Sequence, residues 1–345
     1  MNINDKKILE YLKKNPHQSS KKIHEGLGIE MSYATSKRIL VKLKEANLIK
    51  STGKGRGTKY EISPAHELLF PINTATYFEQ EIDDRKIKEG FNLNLIRTVL
   101  PKVELFTKDE MLKLTNLQKR YSTNISELTE KEYEKELERL AIDLSWKSSQ
   151  IEGNTYSLLE TERLLKEKET AQGKKKEEAI MLLNHKEALD FIIENPSYVT
   201  PLVIARIEDI HSILVKELGV DRNIRKSRVG ITGTNYKPLD NEYQIREVLR
   251  DMCDLINRRE NIFEKSLLLL VLISYIQAFS DGNKRTARII SNAILINHNY
   301  CPISFRTVNS IDYKKAMLLF YEQNNIVAFK KIFIEQFEFA VKTYF

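Results

Sequence analysis

The stretch 275–295, YIQAFSDGNKRTARIISNAIL, gathers the side chains of this chain best suited to holding phosphate. Ser280-Asp281-Gly282-Asn283 has the composition of a turn, and from Arg285 helical spacing returns, with Ile289, Ala293 and Ile296 on one stripe. The first backbone N–H groups of a helix lack partners inside it and lie at the positive end of its dipole. Gly282 lets the backbone come close to a ligand, and Asn283 carries a side-chain amide donor. Arg285 and Arg288, three residues apart, share a face and present forked donors to phosphoryl oxygens. Asp281 is a hard oxygen ligand suited to a Mg²⁺ ion that keeps waters and bridges phosphates. The same residues also fit a plain Asp-Gly-Asn turn between two core helices with two surface arginines, and local chemistry does not separate the two.

The elements around this turn are strongly apolar. Leu267–Ile276, LLLLVLISYI, is apolar on every side and predicts a helix buried all round. It is much shorter than the ~18 apolar residues of a membrane span, so protein surrounds it rather than lipid. The polar turn is therefore expected to sink between two apolar helices.

The ordered pattern Gln277-x-Phe279-x-Asp281-Gly282-Asn283-Lys284-Arg285-x-x-Arg288 resembles the signature loop of Fic domains, H-x-F-x-D/E-G-N-G/K-R-x-x-R. The resemblance implies a mostly α-helical core and Mg²⁺-dependent transfer of AMP from ATP to a Ser, Thr or Tyr hydroxyl of a target protein, or of the chain itself. It assigns the metal to Asp281 and the phosphates to Gly282, Asn283, Lys284, Arg285 and Arg288. Two positions depart from the pattern. Gln277 stands where the family has its base, a histidine that accepts the proton of the attacking hydroxyl. A glutamine amide has no basic nitrogen, and loss of a positioned general base removes ~10²–10⁴ in rate. The chain should thus bind nucleotide, ATP or ADP, much better than it turns it over. Lys284 resembles the Doc branch, whose members phosphorylate their targets, although the second arginine, Arg288, is retained.

Two further segments fit the same family. The region from about Glu130 reads as a long amphipathic helix ending at Gly153-Asn154, with Ser148 and Glu152 four apart on one face. Ser148-x-x-x-Glu152-Gly153 resembles the inhibitory helix of Fic proteins, in which the glutamate competes with the γ-phosphate for the second loop arginine, here Arg288. Residues 228–238, RVGITGTNYKP, alternate apolar residues and turn on Gly-Thr-Asn, a hairpin signal. They resemble the Fic flap, a β-hairpin over the nucleotide that pairs with the target's main chain, which adds Thr232 and Gly233 to the nucleotide-binding residues. His185 and His211 lie at helical spacing among apolar residues and read as packed or capping histidines.

At 345 residues the chain is long enough for two or three domains, and 41% apolar content supports real cores. Met1–Lys14 is charged throughout and has no signal-peptide character, so a bacterial-type cytoplasm is the expected compartment, with no membrane partner. Cys253 and Cys301 are too few for a disulfide scaffold or a metal site. The net charge of +7 is unevenly placed: residues 1–64 carry 14 Lys/Arg against 6 Asp/Glu, and residues 65–345 carry 41 against 42. A basic excess confined to one end points to a nucleic-acid partner for that end.

Three short helices are predicted there: 5–14, one capped by Ser19 or Ser20 and ended by Gly28, and, after a Gly28-Ile29-Glu30 turn, one from Ser32 to about Asn47. Strands at 48–50 and 59–62 flank a Gly-rich basic hairpin. The pattern resembles a winged helix-turn-helix, a small α+β domain. It implies double-stranded DNA as partner, with Ser36, Lys37 and Arg38 toward the major groove and Lys54, Arg56 and Lys59 on the wing. Pro64–Asn73 reads as a linker. Thr74–Lys119 reads as a mostly helical arm, broken at Pro101, that orients the two ends or makes a homodimer contact. The expected organisation is a DNA-binding domain at 1–64, linker and arm at 65–129, and a Fic domain at 130–345 that includes an inhibitory helix at 130–153. Two alternatives stay open beside an autoinhibited AMP-transferase: a nucleotide-sensing transcriptional regulator without turnover, and a Doc-like protein kinase.

Overall fold

Helix α1 (Ile3–Lys14) starts on a reciprocal cap between Asn2 and Asp5 and buries Ile8, Leu9 and Leu12. The computed structural model describes every residue of the chain except Ile29, Glu30 and Glu89. A two-residue strand, β1 (Gln18–Ser19), leads into α2 (Ser20–Leu27), capped by Ser19 and closed by Gly28 in the left-handed region at φ 57°. Ile29 and Glu30 of the expected turn lie outside the described residues. Helix α3 (Tyr33–Glu45) is capped by Ser32, and its Lys42 reaches the fully buried Asp5 of α1 at 2.7 Å. Strands β2 (Ile49–Thr52) and β3 (Lys59–Ile62) form an antiparallel pair, and β1 adds to β3 to give the order β1-β3-β2. At two residues, β1 is too short for any alternation in the sequence to reveal.

The expected linker is not a free connection. Helix α4 (His66–Leu69) buries Leu68 and Leu69. The Asn325 amide donates to the carbonyls of Glu67 (2.8 Å) and Phe70 (2.7 Å), and the Ile326 N–H donates to Leu68 O at 3.0 Å. The partners that order this stretch lie some 250 positions away, so a local reading sees only its turn residues. The arm is also less helical than expected. Beyond α5 (Thr74–Phe78) it is built of single turns at 82–84, 95–99 and 100–102, and it becomes regular only in α6 (Lys108–Ser126).

The remaining helices are α7 (Glu130–Ile151), α8 (Leu158–Glu167), α9 (Lys176–Glu194), α10 (Ile204–Val215), α11 (Glu242–Arg258), α12 (Ile262–Ile276), α13 (Asn283–Asn297), α14 (Ser310–Gln323) and α15 (Val327–Thr343). Every residue of α12 from Leu267 to Ile276 is buried, as an apolar surface without a polar stripe requires. Its closest neighbour is α13, and α7, α9, α10, α11, α14 and α15 pack around this pair. Among the described residues no helix is long and apolar enough to cross a membrane.

The expected β-hairpin at 228–238 does not form. The segment turns at Thr232-Gly233 without strand pairing, and its polar groups bond elsewhere. Gly233 O accepts from Arg85 Nη2 (3.0 Å), the Asn235 amide donates to Asp83 (2.8 Å), and Tyr236 N–H donates to Thr234 Oγ1 (3.1 Å). Pro238 has no N–H for a ladder.

Candidate active site

Helix α12 ends at Gln277, which takes left-handed dihedrals (φ 52°) and turns the chain out of the helix. Gly282 (φ 80°) turns it back into α13. Between them Phe279 is buried, and Asn283 closes the loop on itself: its amide nitrogen donates to Phe279 O (2.8 Å) and Gln277 Oε1 (3.2 Å), and its oxygen accepts the Phe279 N–H (2.9 Å). The Asn283 amide is thus spent on shaping the loop rather than offered to a ligand. The Gln277 side chain is equally committed, donating to Ser274 O at 2.7 Å and Tyr321 Oη at 3.4 Å.

His211 of α10 packs, as expected, but it also holds the loop. Its ring stacks on Phe279 with centroids 3.6 Å apart, and its two nitrogens face Asp281 O (2.9 Å) and Arg222 O (3.1 Å). Burial pushes the imidazole pKa below its usual value despite these two carbonyls. A Cβ at position 282 would lie 3.2 Å from His211 Nε2, so the helix start needs glycine both for its φ and for this contact. Nothing in the sequence around His211 marks it out from other helical histidines on an apolar face.

The loop floors a cleft of about 390 Å³ lined by Gln277 and residues 280–285, by Gly230, Ile231 and Thr232, by Ile151 and Glu152, and by Lys314, Met317, Leu318 and Tyr321 of α14. Thr232 lines the cleft. Gly233 does not line it and gives its carbonyl to Arg85 instead. A larger depression of about 550 Å³ lies elsewhere, beside Arg97, Asp251, Arg259 and Glu264. Most of its charges pair with one another, Arg97 with Asp251 at 2.6 Å and Arg259 with Glu264.

The two arginines are core residues, not surface ones: Arg285 is 1% and Arg288 0% exposed. Arg285 bonds Leu214 O (3.3 Å) and Asp281 (3.1 Å), and its buried Nε has no partner. Arg288 donates from Nε to Ser148 Oγ (2.8 Å) and from Nη2 to Ser148 O (3.1 Å) and Glu152 Oε1 (2.8 Å). The second Glu152 oxygen accepts from Lys284 Nζ at 2.8 Å. Burial alone would raise the Glu152 carboxyl, but the flanking Arg288 and Lys284 outweigh it and hold the pKa at about 2. One carboxylate thus occupies two of the cations the sequence assigns to phosphate. It is placed there by the end of α7, which buries Ser148 and Ser149 and lets the chain turn away at Gly153 (φ 103°).

Asp281 lies on the exposed rim. One of its oxygens accepts the Gly282 N–H (2.6 Å) and the other faces Arg285 (3.1 Å). Among the described residues no cluster of three His, Cys, Asp or Glu side chains forms a metal cage. A single exposed carboxylate at a cleft mouth fits Mg²⁺ held chiefly by waters and phosphates. When bound, such an ion supplies charge neutralisation between phosphoryl oxygens.

On the N-terminal unit Lys37 and Arg38 project from α3 into solvent, and Lys54, Arg56 and Lys59 are exposed on the β2–β3 connection and its edge. Ser36 does not join them. It is fully buried, with its hydroxyl 2.9 Å from His24 Nδ1 and donating to Ser32 O at 3.4 Å, because it lies on the inward stripe with Leu40 and Leu43. Tyr33 and Val41, which the residue pattern did not single out, occupy the exposed face instead, and the Lys37 ammonium lies 4.9 Å above the Tyr33 ring.

Residues 198–295 match the model of the Fic/DOC family. Protein adenylyltransferase Fic of Nematostella vectensis is 30% identical over 175 residues, 48% of this chain and 40% of that protein. Protein adenylyltransferase fic-1 of Caenorhabditis elegans is 26% identical over 175 residues, 48% of this chain and 34% of that one. The chain therefore spans well under half the length of these curated relatives. Among solved structures, Fic-1 from C. elegans superposes with a TM-score of 0.60 at 19% identity, over 68% of this chain and 72% of that one. A Fic-domain signalling protein from Bacteroides thetaiotaomicron gives 0.58 at 18% identity, over 67% and 96%. The fold is thus the helical Fic fold, and these matches support a Fic/DOC-type domain toward the C-terminal end.

Proposed function

We propose that this chain is a Fic-type protein adenylyltransferase held shut by its own α7, with an impaired base position and a DNA-binding winged helix at its N-terminal end. The observation that carries the reading is Glu152: its carboxylate spans Arg288 and Lys284 at a cleft floored by a helix N-terminus. A phosphate and this carboxylate want the same guanidinium, so an ATP γ-phosphate reaches Arg288 only when Glu152 leaves. ADP, lacking that phosphate, escapes the competition. Asp281 would hold Mg²⁺, the α13 N-terminus and Arg285 the remaining phosphates, and residues 230–232 would act as the flap over the nucleotide and the target's main chain. Gln277 occupies the base position with its amide bonded to Ser274 O, so it orders the loop but accepts no proton.

That same residue favours a second reading, a nucleotide-sensing regulator that uses the cleft only to report ATP or ADP to the N-terminal unit. One experiment separates these readings and the Doc-like kinase. The chain and its Gln277→His variant are incubated with ATP labelled at the α- or γ-phosphate. Label from α alone, increased in the variant, is the expected result. Label from γ alone identifies a kinase, and label from neither in both proteins leaves the regulator.

The N-terminal reading rests on three helices, a three-stranded sheet and the exposed Lys37, Arg38, Lys54, Arg56 and Lys59 on one unit. Duplex DNA is the partner such a surface fits.

A further inference from the structure

The segment 228–240 beside the cleft is anchored at its start, toward its end and at its turn. At its start Arg225 donates from Nε to Gln277 O (2.6 Å) and from Nη1 to Ser227 O (2.7 Å), and its N–H donates to Ala278 O (3.0 Å). Toward its end Tyr236 is buried, its hydroxyl donating to Tyr275 O at 3.2 Å and its ring lying 5.0 Å from that of Tyr275 and 5.6 Å from that of Tyr321. Neither anchor reaches the turn at Thr232-Gly233, which has no strand ladder of its own. The third anchor does reach it, and it comes from the irregular arm.

Arg85 is 4% exposed and Glu322 of α14 0%. Arg85 Nη1 meets both Glu322 oxygens (3.1 and 3.4 Å), while Nη2 donates to Gly233 O (3.0 Å). Tyr77 donates its hydroxyl to Glu322 at 2.6 Å, and the Lys88 N–H donates to Glu322 O at 2.9 Å. Asp83 adds the exposed bond to Asn235. A buried ion pair is a poor stability device, since an apolar pair of similar volume avoids its desolvation cost. A guanidinium does have one property that an apolar side chain lacks: its planar fork fixes two acceptors relative to each other. Here the two acceptors are a carboxylate on the helix that lines the cleft and the carbonyl of the turn that covers it.

We propose that Arg85, braced by Glu322 and Tyr77, is a positioning residue for the cleft: it sets where residues 230–233 sit above the phosphate-binding loop. Segment 74–88, outside the family-matched residues 198–295, thereby becomes part of the site's architecture. The functional half of this inference rests on reading 228–238 as the flap.

The test uses the full-length protein, with hydrogen exchange read by peptide and Mg·ATP and Mg·ADP binding read by calorimetry. The main variant combines Arg85→Met with Glu322→Gln, so that no buried charge is orphaned. Losing a hydrogen bond to a charged group should speed exchange in peptides covering 229–236 by about tenfold to a hundredfold, with α12 and α13 exchanging as in the parent. Nucleotide affinity should fall with it. Arg85→Lys, which can keep the Glu322 contact but has no fork, guards against a folding defect in the double variant and should loosen the same peptides to a lesser degree. If those peptides exchange as in the parent in both variants, the turn is held without Arg85 and the proposal falls. If they loosen while nucleotide affinity and α-label transfer stay unchanged, Arg85 is upheld as the anchor and the flap reading of the loop is overturned.

Discussion

The cleft and the N-terminal unit handle positive charge in opposite ways. At the cleft Arg285 and Arg288 are almost wholly buried, and Arg288 and Lys284 share a single carboxylate. On the N-terminal unit Lys37, Arg38, Lys54, Arg56 and Lys59 are exposed, and among the described residues none of them pairs with a carboxylate. Buried, pre-oriented cations suit one small anion in one pose, and the carboxylate that fills the place in its absence removes the cost of leaving them unpaired. Exposed cations suit a polyanion, whose binding is driven by counterion release and needs little geometric precision. If both proposed readings hold, one sequence carries two phosphate-directed surfaces, distinguishable by how each responds to salt and to single substitutions.

The largest effect should come from the cleft. Gln277→His in a Glu152→Gly background should raise transfer of AMP by about two to four orders of magnitude, the usual worth of a positioned base. Auto-modification followed by intact mass reads it without a known target, since an added AMP differs from an added phosphate. No gain in the double variant would place this cleft with ligand sensors rather than enzymes.

Next in size is the N-terminal surface. Replacing Lys54 and Arg56 together with alanine should weaken duplex binding and lower the salt slope by roughly two, about one unit for each cation withdrawn from a phosphate. An unchanged slope, followed by fluorescence anisotropy across a salt series, would remove DNA from this side of the comparison.

A smaller effect isolates the lock. Glu152→Gly alone should tighten ATP by about tenfold, a shift of about 1.4 kcal/mol in binding, and leave ADP nearly unchanged, because only the γ-phosphate competes for Arg288. The advantage should be flat between about pH 5 and 8. With its folded pKa lowered to about 2, Glu152 contributes its interaction above the ordinary carboxylate range and loses it only as pH falls toward that value. Equal changes for both nucleotides in calorimetry would mark Glu152 as an ordinary structural partner of Arg288.

The smallest effect sharpens the N-terminal map. Ser36→Ala should leave DNA affinity unaltered and cost about 1 kcal/mol of stability through the missing hydrogen bond to His24. Chemical denaturation and a binding titration on the same sample check both halves. A loss of affinity without a loss of stability would return Ser36 to the DNA-facing side.

The ordered loop, the all-apolar helix before it, the Ser148-Glu152 pair and the basic segregation of residues 1–64 were all legible in the sequence, because each is a local pattern of residue types. Helix caps at Asn2, Ser19, Ser32 and Thr129 follow the same local chemistry. Ser36 was misplaced because residue type suggested a DNA contact, whereas the helical phase that also buries Leu40 and Leu43 turns it inward.

The order of residues alone settles the chemistry available: which anions and cations exist, in what succession, and on which helices. Packing of the helices then selects which of them meet. Asn283 spends its amide on the loop, Gly233 turns from the cleft to Arg85, Glu152 bridges Lys284 as well as Arg288, and a stretch read as linker and arm anchors the turn above the cleft. Each of these depends on groups that the fold, not their local sequence, brings into register. No local periodicity encodes such pairings, because they are selected by the requirement that buried polar groups find partners once the helices have packed.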